Sequence, residues 1–424
     1  MISHKRLHYL SSIILFILLP NFPKIDLIGK LKIDDIIYCT LIFLLIKIRI
    51  LKKVLIVYSF MFGYVLLLSI NSLLNDYRFD IAYLARYFFY FSAFVLGSII
   101  FKALSCRNLE KIQNLILLIT IPQMLVVTLQ KLSLLGGSYD GVWNPSVSLR
   151  PVGFTSHPTE LGLMCLAFTF ILFKNYEKRI LDFKFFFFAS VITLTVTLSE
   201  ARASLILIIV TLAIHIIIKS NSLLSRIASF LVSLLFLVSS LLFLEQSDRF
   251  KNLLSRENLS VVVGTINFDQ AFQDLDTIDV DINSISAQSA PSNSDDSLYI
   301  RTTKWASIIN VTIQNNLLFG LGGGRFGVAV DGYFVRVFGE GGLLGLFIIF
   351  SIFYYILRNS SHDKLLRFFI IAVLINCITL DALLFSRFGY FFWCIVGIYF
   401  AKSIRKKNDL QENNILVKRL GAYD

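Results

Sequence analysis

Four arginines and two carboxylates have the types and positions to do chemistry together. Arg150, Arg202, Arg325 and Arg336 each stand at or near the edge of an apolar run, and Asp331 precedes Glu340 by nine residues across the start of another. A guanidinium is always charged, and its planar fork matches phosphate oxygens in pairs. Arg150, Arg202 and Arg325 on one surface would hold a diphosphate. A carboxylate within hydrogen-bond reach of a hydroxyl can take its proton. Asp331 lies between the glycine-rich turn GLGGGRFG and an apolar run, which makes it the better-placed base, with Glu340 second. Each residue also has a plainer reading. An arginine at a span end reaches toward lipid headgroups or pairs with an acid such as Glu200. Glu340 follows Arg336 by four residues, the spacing of an ion pair on one helix face. His157, ahead of Pro158, reads as a turn residue as readily as a base or a ligand. Glu160 and Asp140 complete the acids near these positions.

Several other chemistries are excluded by pattern. The glycine-rich turn could bring backbone N–H groups to an anion, but it lacks the Gly-Lys-Ser/Thr ending of a P-loop. The aspartates between positions 264 and 297 lack the central Gly and final Glu of an EF-hand. No serine-hydrolase elbow or zincin motif occurs. Cys39, Cys106, Cys165, Cys377 and Cys394 fall in apolar runs or a short basic loop, so neither a disulfide framework nor a cysteine metal site is indicated. The chemistry read here needs no metal or other cofactor.

The elements that position these residues follow from composition. The chain is 56% hydrophobic and 16% charged, with a mean hydropathy of +0.72. A soluble domain carries roughly 25% charged residues, and a membrane helix needs about 20 mainly apolar ones. Twelve spans are predicted, at 9–23, 34–50, 54–74, 83–101, 112–132, 158–174, 183–199, 202–218, 225–244, 334–357, 366–384 and 386–401. The fold class is therefore an all-α polytopic membrane protein. Residues 1–244 hold the first nine spans, 245–333 a large external loop between the ninth and tenth, 334–401 the last three spans, and 402–424 a basic tail. The basic, apolar start carries no small-residue cleavage site and is kept as the first span. The net charge of +12 lies between apolar spans, so it reads as topology and not as a nucleic-acid surface.

With both termini taken as cytoplasmic, the N-terminus, the inner loops and the tail carry 24 of the 40 Lys and Arg residues, as the positive-inside rule requires. The outer segments are then those around 133–157, Arg202, the long loop, and the connection from Asp381 to Arg387. Residues 264–297 of the long loop lack the apolar mass to pack alone and read as a solvated segment. Beyond Arg301, Trp305, Ile308, Ile309, Ile313 and Leu317 recur at helical spacing, which predicts an amphipathic helix lying on the outer leaflet.

These segments, taken in order, resemble the O-antigen polymerase and O-antigen ligase superfamily of bacterial membrane glycosyltransferases. RPVGFTSHPTELG from Arg150 is similar to that family's Arg-x-x-Gly-Phe segment. LSEARASL from Leu198 is similar to its Ser-x-Ser-Arg segment, with Ala201 replacing the second Ser and Arg202 kept. The Trp-containing helix, the Gly-x-Gly turn, Asp-x-x-Phe from Asp331 and Glu-x-Gly-Leu-Leu-Gly from Glu340 are similar to the end of its large loop. Ligases of the superfamily carry His-Asn where this chain has Asp331 and Gly332, and this departure points to the polymerase branch. The resemblance implies polymerisation of undecaprenyl-diphosphate-linked repeat units into a surface polysaccharide, O-antigen or capsule, at the external face of the bacterial cytoplasmic membrane. It implies Arg150, Arg202 and Arg325 on the diphosphate and Asp331 or Glu340 as the base. Its partners would be the lipid-linked glycans, the bilayer, a chain-length regulator and a flippase. The alternatives are a ligase joining finished glycan to lipid A core or protein, and a flippase without chemistry.

Overall fold

Long apolar runs that must satisfy their own backbone groups in a bilayer form helices, and helices make up nearly all of the structure. This computed structural model describes residues 26–28, 31–32, 50–74, 81–103, 106–136, 150–176, 182–219, 296–327 and 330–420. A short antiparallel ribbon pairs β1 (Asp26–Ile28) with β2 (Leu31–Lys32). The helices are α1 (Lys52–Leu74), α2 (Ile81–Ala103), α3 (Cys106–Lys131), α4 (Pro158–Asn175), α5 (Phe183–Ser199), α6 (Arg202–Lys219), α7 (Asp296–Asn316), α8 (Tyr333–Asn359), α9 (Lys364–Thr379) and α10 (Ser386–Leu420). Among the described residues, the segments Lys52–Leu74, Tyr83–Lys102, Asn108–Lys131 and Tyr333–Asn359 are long and apolar enough to cross a membrane.

The helices meet the predicted spans closely where both exist, and α5 has the bounds 183–199 read from the sequence. The spans at 9–23, 34–50 and 225–244 lie outside the described residues, as does Asp140. Two ends differ. The 366–384 span stops as a helix at Thr379, and Ala382–Leu384 is a separate 3-10 turn. The last helix runs past position 401 to Leu420.

Local signals set several ends. His157 caps α4 with Pro158 in its first turn, and Asp182 and Asp363 cap α5 and α9, as short polar side chains do for unpaired N–H groups. Packing is closest between α2 and α10. A Cβ on Gly97 would stand 2.1 Å from the Cys394 carbonyl, and one on Gly397 would stand 2.0 Å from that of Phe94. Small residues let membrane helices approach this way. Trp393 fills the space beside them, stacked on Phe353 at 5.6 Å. On the outside, Leu55, Phe62, Leu66, Ile70 and Leu73 of α1 and Leu343, Phe347 and Phe350 of α8 are exposed. Broad apolar flanks of this kind face lipid in a membrane protein.

Polar contacts sort the helix ends into two faces. Asn114 meets Asn175 at 2.5 Å, and Lys174 pairs with Asp363 at 2.5 Å. The opposite face joins Lys131 to Glu200 at 2.8 Å, Tyr83 to Glu340 at 2.6 Å and Glu160 to the start of α10. Asp331 belongs to this second face, immediately before α8.

Candidate functional site

The site is assembled around a break in α8. Gly342 has φ 61° and ψ −158°, so the helix is interrupted there and resumes at once. An L side chain is excluded from this conformation, and a Cβ would also fall 2.5 Å from the Leu318 carbonyl. The break frees backbone groups, and the glycine-rich segment before α8 takes them. Leu321 N–H donates to the Gly339 carbonyl at 2.9 Å and Gly322 N–H to that of Glu340 at 3.0 Å. The amides of Leu343 and Leu344 donate to the Leu317 and Leu318 carbonyls, each at 3.0 Å. Gly323 N–H donates to Ser72 Oγ at 2.9 Å, which ties the segment to the end of α1.

Beside the break lies a buried ionic cluster. Arg336 is 1% exposed and Glu340 0%. Arg336 Nη2 and Nε donate to Asp381 Oδ2 at 2.8 and 3.2 Å. Its Nη1 donates to the Gly327 carbonyl at 2.8 Å, to Tyr83 Oη at 3.3 Å and to Glu340 Oε1 at 3.4 Å. Glu340 Oε1 also accepts from Tyr83 Oη at 2.6 Å and from Gly324 N–H at 3.2 Å. Val330 N–H donates to Asp381 Oδ2 at 3.2 Å. The cluster therefore ties α2, α8, the glycine-rich loop and the Asp381 turn together. Breaking a buried ion pair by removing one partner costs about 3–5 kcal/mol. Glu340, read from the sequence as a second candidate base, is enclosed here as a structural acid. Its i,i+4 partner is the one that the spacing suggested.

Asp331 is placed differently. It has φ 55°, the left-handed region that only Asp and Asn tolerate well among non-glycine residues. Its side chain is 44% exposed and meets Arg301 Nε at 3.4 Å. An ion pair this open is worth about 0–1 kcal/mol, so a competing hydroxyl can displace it. One helical turn after Arg301, half-buried Trp305 donates its indole N–H to the Val330 carbonyl at 3.2 Å. A Cβ on Gly332 would stand 2.7 Å from that nitrogen. α7 thus grips both sides of Asp331. The expected lipid-facing stripe of α7 is divided accordingly. Ile308 is buried with Leu321, Phe326 and Val330, Trp305 packs against them, and Ile313 remains exposed.

The Arg150 guanidinium sits where α5 ends and α6 begins. Arg150 Nη2 donates to the Glu200 carbonyl at 3.0 Å and the Ser199 carbonyl at 3.4 Å, at the C-terminal end of α5. A cation is favoured at that end of a helix. The Glu200 carbonyl also accepts the Arg202 amide at 3.1 Å, so Arg150 and Arg202 share one corner. The Glu200 carboxylate pairs with Lys131 at 2.8 Å. Arg325 is exposed on the glycine-rich loop.

His157 links the two groups. The charges of Arg150, Arg301, Asp331 and Glu160 all bear on its imidazole. Burial, helped by Arg150, pushes its pKa down to about 4 against the opposing pull of Asp331 and Glu160. Its Nδ1 accepts the Thr159 amide at 3.2 Å, and its ring stacks on Phe385 at 5.9 Å. With its pKa this low the imidazole is neutral near pH 7, and the Thr159 amide bond at Nδ1 favours the tautomer protonated at Nε2. Glu160 is occupied at both oxygens. Oε2 accepts from Ser156 N–H at 3.1 Å and Ser156 Oγ at 2.7 Å. Oε1 accepts from Arg387 N–H at 2.9 Å and Phe388 N–H at 3.3 Å.

Arg150 and the Arg202 backbone thus meet at the Glu200 carbonyl, Asp331 is half-exposed before α8, and Glu340 is buried in the ionic cluster. Arg301, Asp381 and Tyr83 were not singled out from the sequence as site residues. Arg301 was legible as the residue four before Trp305. Among the described residues, no group of three or more His, Cys, Asp or Glu could hold a metal ion. No protein-family model matches the chain, and no curated protein matches it.

Proposed function

We propose that the chain is a membrane glycosyltransferase that polymerises undecaprenyl-diphosphate-linked repeat units into a surface polysaccharide. In this reading it spans the bacterial cytoplasmic membrane twelve times, with both termini cytoplasmic and Asp331 on the external side. The donor is the growing glycan on its lipid diphosphate. The acceptor is a hydroxyl of the incoming lipid-linked unit. The Asp331 carboxylate takes the proton of that hydroxyl as its oxygen attacks the donor sugar C1. The bond from C1 to the diphosphate oxygen breaks, and the electron pair leaves with the diphosphate.

Arg150 and Arg202, with Arg325 from the loop, meet the charge that develops on the leaving group. Fixed donors and cations aimed at developing charge are the largest single contribution in many enzymes. The observation that carries the reading is the placement of Asp331. It is an acid with a left-handed backbone, 44% exposed and held by an open pair with Arg301.

The test is purified protein in vesicles, supplied with lipid-linked repeat units and read by chain length. The wild type is expected to elongate chains, while Asp331→Asn and Arg202→Ala remain membrane-inserted and leave single units. Normal chain lengths in both variants would overturn the reading. Transfer of finished glycan to lipid A core without elongation would replace it with a ligase.

A further inference from the structure

The segment joining α7 to α8 falls, by sequence, in the external loop. Its hydrogen bonding does not suit a solvated loop. Every amide from Phe319 to Gly324 donates inside the protein. Phe319 donates to Asn316 Oδ1 at 3.2 Å and Gly320 to the Asn316 carbonyl at 2.8 Å. Leu321 and Gly322 donate to the Gly339 and Glu340 carbonyls, Gly323 to Ser72 Oγ, and Gly324 to Glu340 Oε1. The carbonyls of Leu317 and Leu318 accept from Leu343 and Leu344, and that of Phe319 accepts from Asn71 Nδ2. A surface loop leaves many such groups to water. Non-helical backbone within a bilayer cannot, because each unsatisfied group there costs several kcal/mol.

The side chains agree with the backbone. No charged residue occurs from Trp305 to Gly324. Ile313, Leu317, Leu318 and Phe319 are 52%, 42%, 52% and 41% exposed. Leu317 and Leu318 stand against the second half of α8 through its Leu343 and Leu344 amides, and Leu343, Phe347 and Phe350 are exposed beyond them. Ile70, Leu73 and Leu74 are exposed along α1, whose Asn71 and Ser72 hold the same segment. The patch is thus continuous with the flanks that face lipid.

We infer that residues 317–324 form a re-entrant segment seated in the hydrocarbon of the Asp331-side leaflet, with Ile313, Leu317, Leu318 and Phe319 against acyl chains. The segment plugs the α8 break from within the bilayer. It also places Arg325, the next residue, at the return to the polar boundary. The inference does not depend on the transferase reading.

The experiment uses the full chain with its five cysteines replaced, reconstituted in phosphatidylethanolamine and phosphatidylglycerol vesicles. Leu318→Cys and Phe319→Cys are labelled with bimane, with Arg325→Cys as the polar reference. Lipid carrying a doxyl group at acyl carbon 5 is expected to quench both sites at least two-fold more than the reference, and aqueous iodide to quench them at least two-fold less. Iodide quenching equal to the reference, with no doxyl effect, would overturn the inference. Phe319→Trp in the otherwise native chain is a second measurement that needs no cysteine removal. Brominated acyl chains should quench its fluorescence beyond the wild-type background, and unchanged quenching would overturn the inference equally.

Discussion

The indole of Trp305 occupies the space in which a side chain on Gly332 would stand, 2.7 Å from the position of its Cβ. The same ring holds the Val330 carbonyl at 3.2 Å. The backbone on both sides of Asp331 is therefore fixed by one aromatic residue from another element. Gly332 itself is extended, with φ −173°, so its small size serves the approach of the ring and not a turn.

Gly332→Ala should displace the indole and misplace Asp331. Overpacking of this kind costs about 1–3 kcal/mol, and the elongation rate should fall at least ten-fold while the substrate concentration at half-rate changes little. Because the two residues share one space, their effects should not add. Gly332→Ala combined with Trp305→Leu should be no slower than Trp305→Leu alone. Initial rates of the purified variants measure this, and additive losses would show that the contact does not govern Asp331.

The two ion pairs near the site should respond oppositely to removal. Arg336→Met strands Asp381 and Glu340 in a buried setting and should destabilise by about 3–5 kcal/mol. Asp331→Asn breaks only an exposed pair and should change stability by less than about 1 kcal/mol, while slowing elongation by about 10²–10⁴-fold. Thermal midpoints in detergent together with rates separate the cases. A stable Arg336→Met protein would refute the role given to the buried cluster.

Stability should fall on the acid side through His157. Its pKa is about 4 in the fold and about 6.5 unfolded. Between these values the unfolded chain binds the extra proton, so stability rises with pH. The contribution is full above about pH 6.5, is lost as pH falls toward 4, and amounts to about 3–4 kcal/mol at 1.36 kcal/mol per unit. His157→Asn keeps a side chain able to cap α4 and should flatten this limb between pH 4 and 6.5. An unchanged acid limb in that variant would count against a buried, neutral His157.

Glycine substitutions should divide sharply by position. Gly342→Ala meets both a forbidden backbone conformation and the Leu318 carbonyl, and should abolish recovery of folded protein. Gly63→Ala, where nothing lies within 4 Å of the added Cβ, should be neutral or gain about 0.5–1 kcal/mol from helix propensity. Size-exclusion profiles of the solubilised variants provide the measurement.

The apolar helices were legible because a 17-residue run such as Phe183–Ser199 needs no partner to declare itself. Arg336 and Glu340 were legible as a pair by their spacing, and Asp331 by its place before an apolar run. Tyr83 and Asp381 were not, since they join Arg336 across 253 and 45 residues. Nothing local marks an acid that will be buried against a distant arginine. The same holds for the α8 break. GEGGLLG shows a weak point in a helix, but the loop that repairs it is identified only by contact. The premature end of α9 follows from this too, because the chain must leave the helix for Asp381 to meet Arg336.

Glu160, near the start of α4, caps α10 through the amides of Arg387 and Phe388. The two are separated by more than half of the chain, so synthesis delivers the acid long before its destination exists. Until Ser386 and the residues after it leave the ribosome, α4 carries a carboxylate with an unmet obligation in a crowded, apolar setting. Chains that terminate before that point should be recognised as defective and degraded, however well their earlier helices have inserted.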